Sequence, residues 1–190
     1  MRTAFVTTIL FALLIPTHSV QGQGTFEMSN VNFVYGVDAP VSDANGNLLG
    51  TNYLALLFGG ASTNSMQALQ PPVPFEIGIG AGYFYNQSPN GWRVVPGVPG
   101  GTYAWLQVVA WDARLGASYE DVVSLGIGGY GQSLLFFAQS GGAGVVLLTP
   151  PAPLIGLQSF SLLPIVPESS TALLLLLGLP LLLWRRHFRK

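Results

Sequence analysis

Residues Thr102–Asp112 read TYAWLQVVAWD, and the reading of this stretch decides the fold. In an extended chain successive side chains point to opposite faces. Tyr103, Trp105, Gln107, Val109 and Trp111 then share one face, and Ala104, Leu106, Val108 and Ala110 share the other. Both faces are largely apolar, so a central strand buried on both sides is expected. Core packing is the expected role of Trp105 and Trp111.

The segments around it follow the same pattern. Short apolar and aromatic runs alternate with Gly, Pro, Asn and Asp clusters, and no stretch sustains a helical apolar face bounded by caps. Strands are predicted at Thr25–Phe33, Thr51–Phe58, Phe75–Ile77, Tyr83–Phe84, Trp92–Val95, Thr102–Asp112, Leu134–Gln139 and Gly156–Leu162. Asn45-Gly46 suits a type I′ hairpin turn, and Pro99-Gly100-Gly101 forms another turn. SYEDVVS (Ser118–Ser124) is predicted as a short helix. Together these specify an all-β body, an antiparallel β-sandwich of jelly-roll or immunoglobulin-like kind.

The ends differ from this body. Arg2 precedes an apolar run of 12 residues, Ala4–Ile15, which Pro16 breaks. That length suits a cleaved export signal, whose core runs roughly 7–15 residues, better than a spanning helix. Cleavage is expected after Gly22, making residues 1–22 a signal peptide. At the other end, Thr171–Trp184 is a charge-free, Leu-rich segment of 14 residues, followed by Arg185, Arg186, His187, Phe188, Arg189 and Lys190. A helix of that length covers about 21 Å of a roughly 30 Å hydrocarbon core. Local thinning and snorkelling of Arg185 and Arg186 cover the deficit. The basic cluster Arg185, Arg186, Arg189 and Lys190 is the expected membrane stop, held in the cytoplasm. The expected protein is exported and single-pass in the inner membrane, with its N-terminus outside. Residues 23–164 form the domain, 165–170 a linker, 171–184 the transmembrane helix and 185–190 the tail.

The residues before that helix carry a resemblance. Val166-Pro167-Glu168-Ser169-Ser170-Thr171, the Leu-rich segment and the Arg-rich end resemble the PEP-CTERM sorting signal of Gram-negative envelope proteins. The family pattern is Val-Pro-Glu-Pro-Ser. Val166, Pro167 and Glu168 match it, and Ser169 stands where the family has its second proline. The resemblance implies recognition by exosortase, removal of the helix and tail, and delivery to the cell surface or extracellular matrix. GQGTFEMSN, YLALLFGG, PVPFEIGIGAGYF, LQVVAWD, SYED, GGAG and GLQSFSLLP, in that order, resemble a group of exported proteins that carry the same signal and have no assigned activity.

Composition restricts the chemistry. Charged residues are 8% of the chain, against about 25% in an ordinary soluble domain. The chain has no Cys, and its two His residues, His18 and His187, lie in the terminal signals. The body therefore lacks His, Cys and Lys, so thiol, imidazole and amine catalysis have no residue to use there. Asp112, Glu120 and Asp121 are the nearest to a carboxylate pair, and their spacing does not favour a glycosidase. No enzyme and no cofactor is expected. Two arginines, Arg93 and Arg114, stand against seven carboxylates between residues 23 and 164, a net charge of −5. Such a body repels phosphate backbones, and no nucleic-acid partner is expected.

Three binding options remain. Asp43-Ala44-Asn45-Gly46-Asn47 opens like an EF-hand loop, but Leu48 and Leu54 stand at the sixth and twelfth positions, and the motif fails. Structural calcium at an acidic loop keeps Asp38, Asp43, Asp112 and Asp121 as candidates. Trp92, Tyr83 and Tyr85 are candidate glycan contacts, because aromatic faces stack on sugar rings. Strand edges without any Lys could pair with other copies of the chain. The expected function is thus that of an exported cell-envelope or extracellular-matrix protein with a structural or interaction role. Exosortase, the membrane, an exopolysaccharide and other copies are the expected partners. The alternative is a carbohydrate-binding module displayed at the cell surface.

Overall fold

A computed structural model describes residues 22–85, 91–142 and 149–166. The elements in chain order are β1 (Gln23–Glu27), β2 (Val31–Asn32), β3 (Val37–Asp38), β4 (Val41–Ser42), β5 (Tyr53–Gly60), β6 (Gln67–Pro74), β7 (Trp92–Pro99), β8 (Tyr103–Asp112), α1 (Tyr119–Leu125), β9 (Tyr130–Gln132), β10 (Phe136–Gln139) and β11 (Phe160–Ser161). The described protein is all-β apart from α1 and three single 3₁₀ turns.

β8 is central, as its alternation requires. It pairs antiparallel with β5 along one edge and with β10 and then β9 along the other, and β6 extends the sheet beyond β5. The antiparallel ribbon β1–β7 lies across one face of this sheet. There Phe26, Met28, Val95 and Val98 meet Ala55, Leu57, Leu106 and Val108 in one buried cluster that runs on to Leu162. Gly59 marks how closely the layers approach. A Cβ at that position would stand 3.0–3.3 Å from Leu69, Leu106 and Val95, so the position stays without a side chain.

The layers are joined at one side by the chain itself. Ser140 N donates to Thr102 O beside β8, and the next residue, Gly141, exchanges two backbone bonds with Thr25 of β1. Thr25 O also accepts from Ala152 N. At the opposite side Asn30, fully buried, stitches three backbone segments. Its Nδ2 donates to Ala39 O (2.7 Å) and Gly82 O (3.0 Å), and its Oδ1 accepts from Phe84 N (2.7 Å). Every polar group of the side chain is used, which burial demands.

The structure departs from the expected strands in five places. Gln67–Pro74, which no expected strand covers and which holds three prolines including Pro71 and Pro72, is the edge strand β6. Prolines are tolerated there because, among the described residues, one edge of β6 has no strand partner, and the pairing with β5 is interrupted opposite Leu56. Phe75–Ile77 and Tyr83–Phe84 are not strands. Their backbones serve Tyr53, Asn30 and each other through single bonds. Thr25–Phe33 ends as a strand at Glu27 and resumes only for Val31–Asn32. Gly156–Leu162 shortens to Phe160–Ser161, parallel to β4. α1 is the expected helix, with Ser118 and Asp121 forming a reciprocal capping box. Among the described residues no helix is long and apolar enough to cross a membrane. The segments 1–21 and 167–190, with the export signal, most of the sorting motif and the basic stop, lie outside the described residues.

Candidate functional site

The outer face of the sheet, opposite β1–β7, is only partly covered. Along β8 the outward positions are Tyr103, Trp105, Gln107, Val109 and Trp111. At the Trp111 end α1 folds over the sheet and closes a second cluster of Leu56, Val109, Trp111 and Val122. Trp111 is 1% exposed, and its Nε1 donates to Gly116 O (3.3 Å). Its ring meets Tyr119 edge-on at 6.3 Å between centroids.

Among the described residues the Tyr103 end has no such cover. Tyr103 is 54% exposed and Phe137, across the strand pair on β10, is 51% exposed. Their rings stack at 5.0 Å with 18° between planes, and Trp105 lies against the other side of Phe137 at 5.0 Å and 42°. Trp105 pairs with Gly60 on β5, which offers no side chain to cover the indole. Three rings therefore form a continuous row on an open sheet face. Trp105 is half-buried in that row, which corrects the expectation that both tryptophans pack in the core.

Polar groups flank the row. Gln107 Nε2 donates to Ser133 O (2.9 Å) and Gln139 Nε2 to Gly101 O (2.8 Å), which holds both amides in place. Beyond Gln107 the face sinks into a groove of about 370 Å³ between the sheet and α1, bordered by Phe58, Tyr119, Glu120, Ser124 and Gln132. The Tyr119 hydroxyl approaches Gln132 Oε1 at 3.4 Å. Burial, with the nearby Tyr130 and Glu120, holds the Tyr119 phenol above its ordinary pKa, so it stays protonated at neutral pH.

The aromatic residues selected from the sequence do not join this row. Trp92, 45% exposed, stands on β7 opposite Glu27 and borders a separate recess with Thr25, Val94 and Pro151. Tyr83 donates its hydroxyl to Asp38 (2.7 Å), and that bond raises its pKa. Tyr85 is bridged through its backbone to Ser29. No ring contact joins the three among the described residues.

The four acidic candidates for calcium are engaged by the protein. Asp38 takes the Tyr83 hydroxyl. Asp43 accepts from Asn45 N, Asn47 N and Asn47 Nδ2 (2.8–3.0 Å), closing its own turn. Asp121 caps α1. Asp112, buried, takes both Arg114 Nε (2.8 Å) and Nη2 (2.5 Å). Among the described residues no three acidic or imidazole side chains gather as a group that could hold a metal. Of the carboxylates weighed for catalysis, only Glu120 faces the groove.

The body's two cations are also committed. Arg114 belongs to Asp112. Arg93 is 2% exposed and donates to Trp92 O (3.2 Å) and Pro71 O (2.6 Å), with its Nε left without a partner. Burial lowers its pKa.

Tyr103 and Phe137 are the residues that the sequence reading missed. Two signals were present. Gln107, amid the apolar residues of its face, marks a position that water reaches. Phe136-Phe137 on one strand must point one ring away from the core, because neighbouring side chains alternate.

Comparison with known proteins adds no assignment: no family model, no curated protein and no solved structure matches the chain.

Proposed function

We propose that the chain is an exported cell-envelope or extracellular-matrix protein whose body acts by binding and not by catalysis. Residues 1–22 direct export, and the PEP-CTERM-like signal from Val166 through Lys190 holds the protein at the membrane until exosortase acts on it. The body, residues 23–164, is a β-sandwich of jelly-roll or immunoglobulin-like kind. The observation that carries the binding role is the open row of Tyr103, Phe137 and Trp105. Exposed aromatic rings in contact on a rigid sheet are an interaction surface. The body supplies no His, Cys or Lys for chemistry beside them.

The test is fractionation with intact mass spectrometry after expression in a Gram-negative host that has an exosortase. A mature chain beginning near residue 23 is expected in the membrane or surface fraction. A chain that ends near Glu168, without the helix and tail, is expected in the periplasm or medium. An unprocessed chain confined to the cytoplasm would remove the proposal. A carbohydrate-binding module displayed on the same tether is the second reading, favoured by the flatness and mixed polarity of the open face.

A further inference from the structure

We propose that the Tyr103–Phe137–Trp105 row and the groove beside α1 form one binding site for an uncharged polysaccharide chain outside the cell. The inference rests on the exported, tethered reading above and adds the site and its ligand class.

Position is the first argument. The described chain ends at Val166, whose N donates to Ile127 O (2.7 Å), just after Leu163 O accepts from Gly129 N (3.0 Å). Gly129 O in turn accepts from Asp112 N (2.9 Å), so the tether leaves beside the Asp112 end of β8. β8 is 10 residues long, so the ring row lies about 23–30 Å away, from Trp105 and its partner Phe137 to Tyr103. The five residues from Val166 to Thr171 reach at most about 18 Å. The row therefore does not adjoin the point where the tether leaves the body, and its ligand need not be the lipid surface beside that point.

Charge is the second. An acidic polysaccharide or a phosphate-bearing polymer needs cations at its site. Arg93 is internal and Arg114 is bonded to Asp112 at the tether end. The groove itself contributes one carboxylate, Glu120, and no cation. An uncharged partner meets no penalty there.

The third is the alternation of chemistry along the strip. Rings at one end present flat apolar area. Next come the Gln107 and Gln132 amides, the Ser124 hydroxyl and the Glu120 carboxylate. A pyranose has the same two characters, with an apolar C–H face for the rings and equatorial hydroxyls for amides and carboxylate. Tyr103 to Gln107 covers about 13 Å of strand, so several sugar units of one chain would contact the strip together.

The test titrates the full-length chain in neutral detergent with cellohexaose, laminarihexaose and mannohexaose, and with alginate oligomers as the anionic control. Calorimetry and tryptophan emission report binding. Saturable binding of at least one neutral hexaose is expected, with alginate at least tenfold weaker. Phe137→Ala and Tyr103→Ala should each weaken binding tenfold or more, while Trp92→Ala leaves it within twofold. Phe137→Leu separates ring stacking from apolar area and should behave like the alanine variant. Near-ultraviolet circular dichroism of the Trp111–Tyr119 contact checks that each variant is folded. No binding of any neutral probe, or equal binding of alginate, overturns the site. Self-association that Phe137→Ala abolishes, without an effect of sugars, assigns the face to a second copy and also overturns it. Fractionation of the same preparations tells the failures apart: a tethered, exported chain that ignores sugars loses this site alone, whereas a cytoplasmic chain loses the reading beneath it.

Discussion

Trp105 and Trp111 sit on one face of one strand, yet alanine at the two positions should have very different costs. Trp111 is 1% exposed, packs against Leu56, Val109 and Val122, and loses the Nε1 bond to Gly116 O when truncated. Removing a fully buried tryptophan costs about 3–5 kcal/mol. The lost hydrogen bond adds little, because half-buried Gly116 is reached by water. The expected penalty is about 4 kcal/mol. Trp105 belongs to neither buried cluster and makes a tilted contact with Phe137. Such a ring pair contributes about 0.5–1.5 kcal/mol beyond area. Because Trp105 is only partly buried and leaves no closed cavity behind it, Trp105→Ala should cost about 1–2 kcal/mol. Urea unfolding of the full-length chain in detergent, followed by far-ultraviolet circular dichroism, measures both without relying on the altered fluorophores. For a body of this size the difference corresponds to about 6–12 °C in Tm. Penalties equal within 1 kcal/mol would refute the assignment of one tryptophan to the covered half of the face and the other to the open half.

Two further outcomes follow from buried polar groups. Burial opposes ionisation of Asp112, but hydrogen bonds and the charge of Arg114 outweigh it, so its pKa lies below the ordinary carboxylate value. A lowered folded pKa contributes stability above the unfolded value, near 3.9, which is lost as pH falls through the folded value. Asp112→Asn should thus destabilise the protein at neutral pH and flatten the acid side of its stability profile, as measured by urea midpoints between pH 2 and 7. An unchanged acid slope would show that Asp112 does not titrate as described. Asn30→Ala removes three backbone partners from a fully buried site and should cost about 3 kcal/mol or more, at roughly 1 kcal/mol for each lost bond. The same urea midpoints test it, and a loss under 1 kcal/mol would mean that water replaces the side chain.

What the sequence determined by itself was local. Period-two alternation in Tyr103–Asp112, with apolar residues on both faces, is enough to place that strand in the middle of a sheet, because most of both faces must then be covered. Ser118 and Asp121 announce the start of α1, since their side chains satisfy the first free amides without outside help. The lack of His, Cys and Lys in the body excludes their chemistry whatever the fold. Other features were decided only when the chain closed on itself. β6 exists despite its prolines because β5 offers ladder partners on one side and asks for none on the other. Tyr83–Phe84 is drawn out of strand pairing by the buried Asn30, which lies 54 residues away from Phe84 in sequence. The open ring row depends on how far a seven-residue helix reaches across the sheet. α1 covers Trp111 and stops short of Trp105, and alternation cannot encode that boundary, because it sorts side chains by face and does not say what lies above each end of the face.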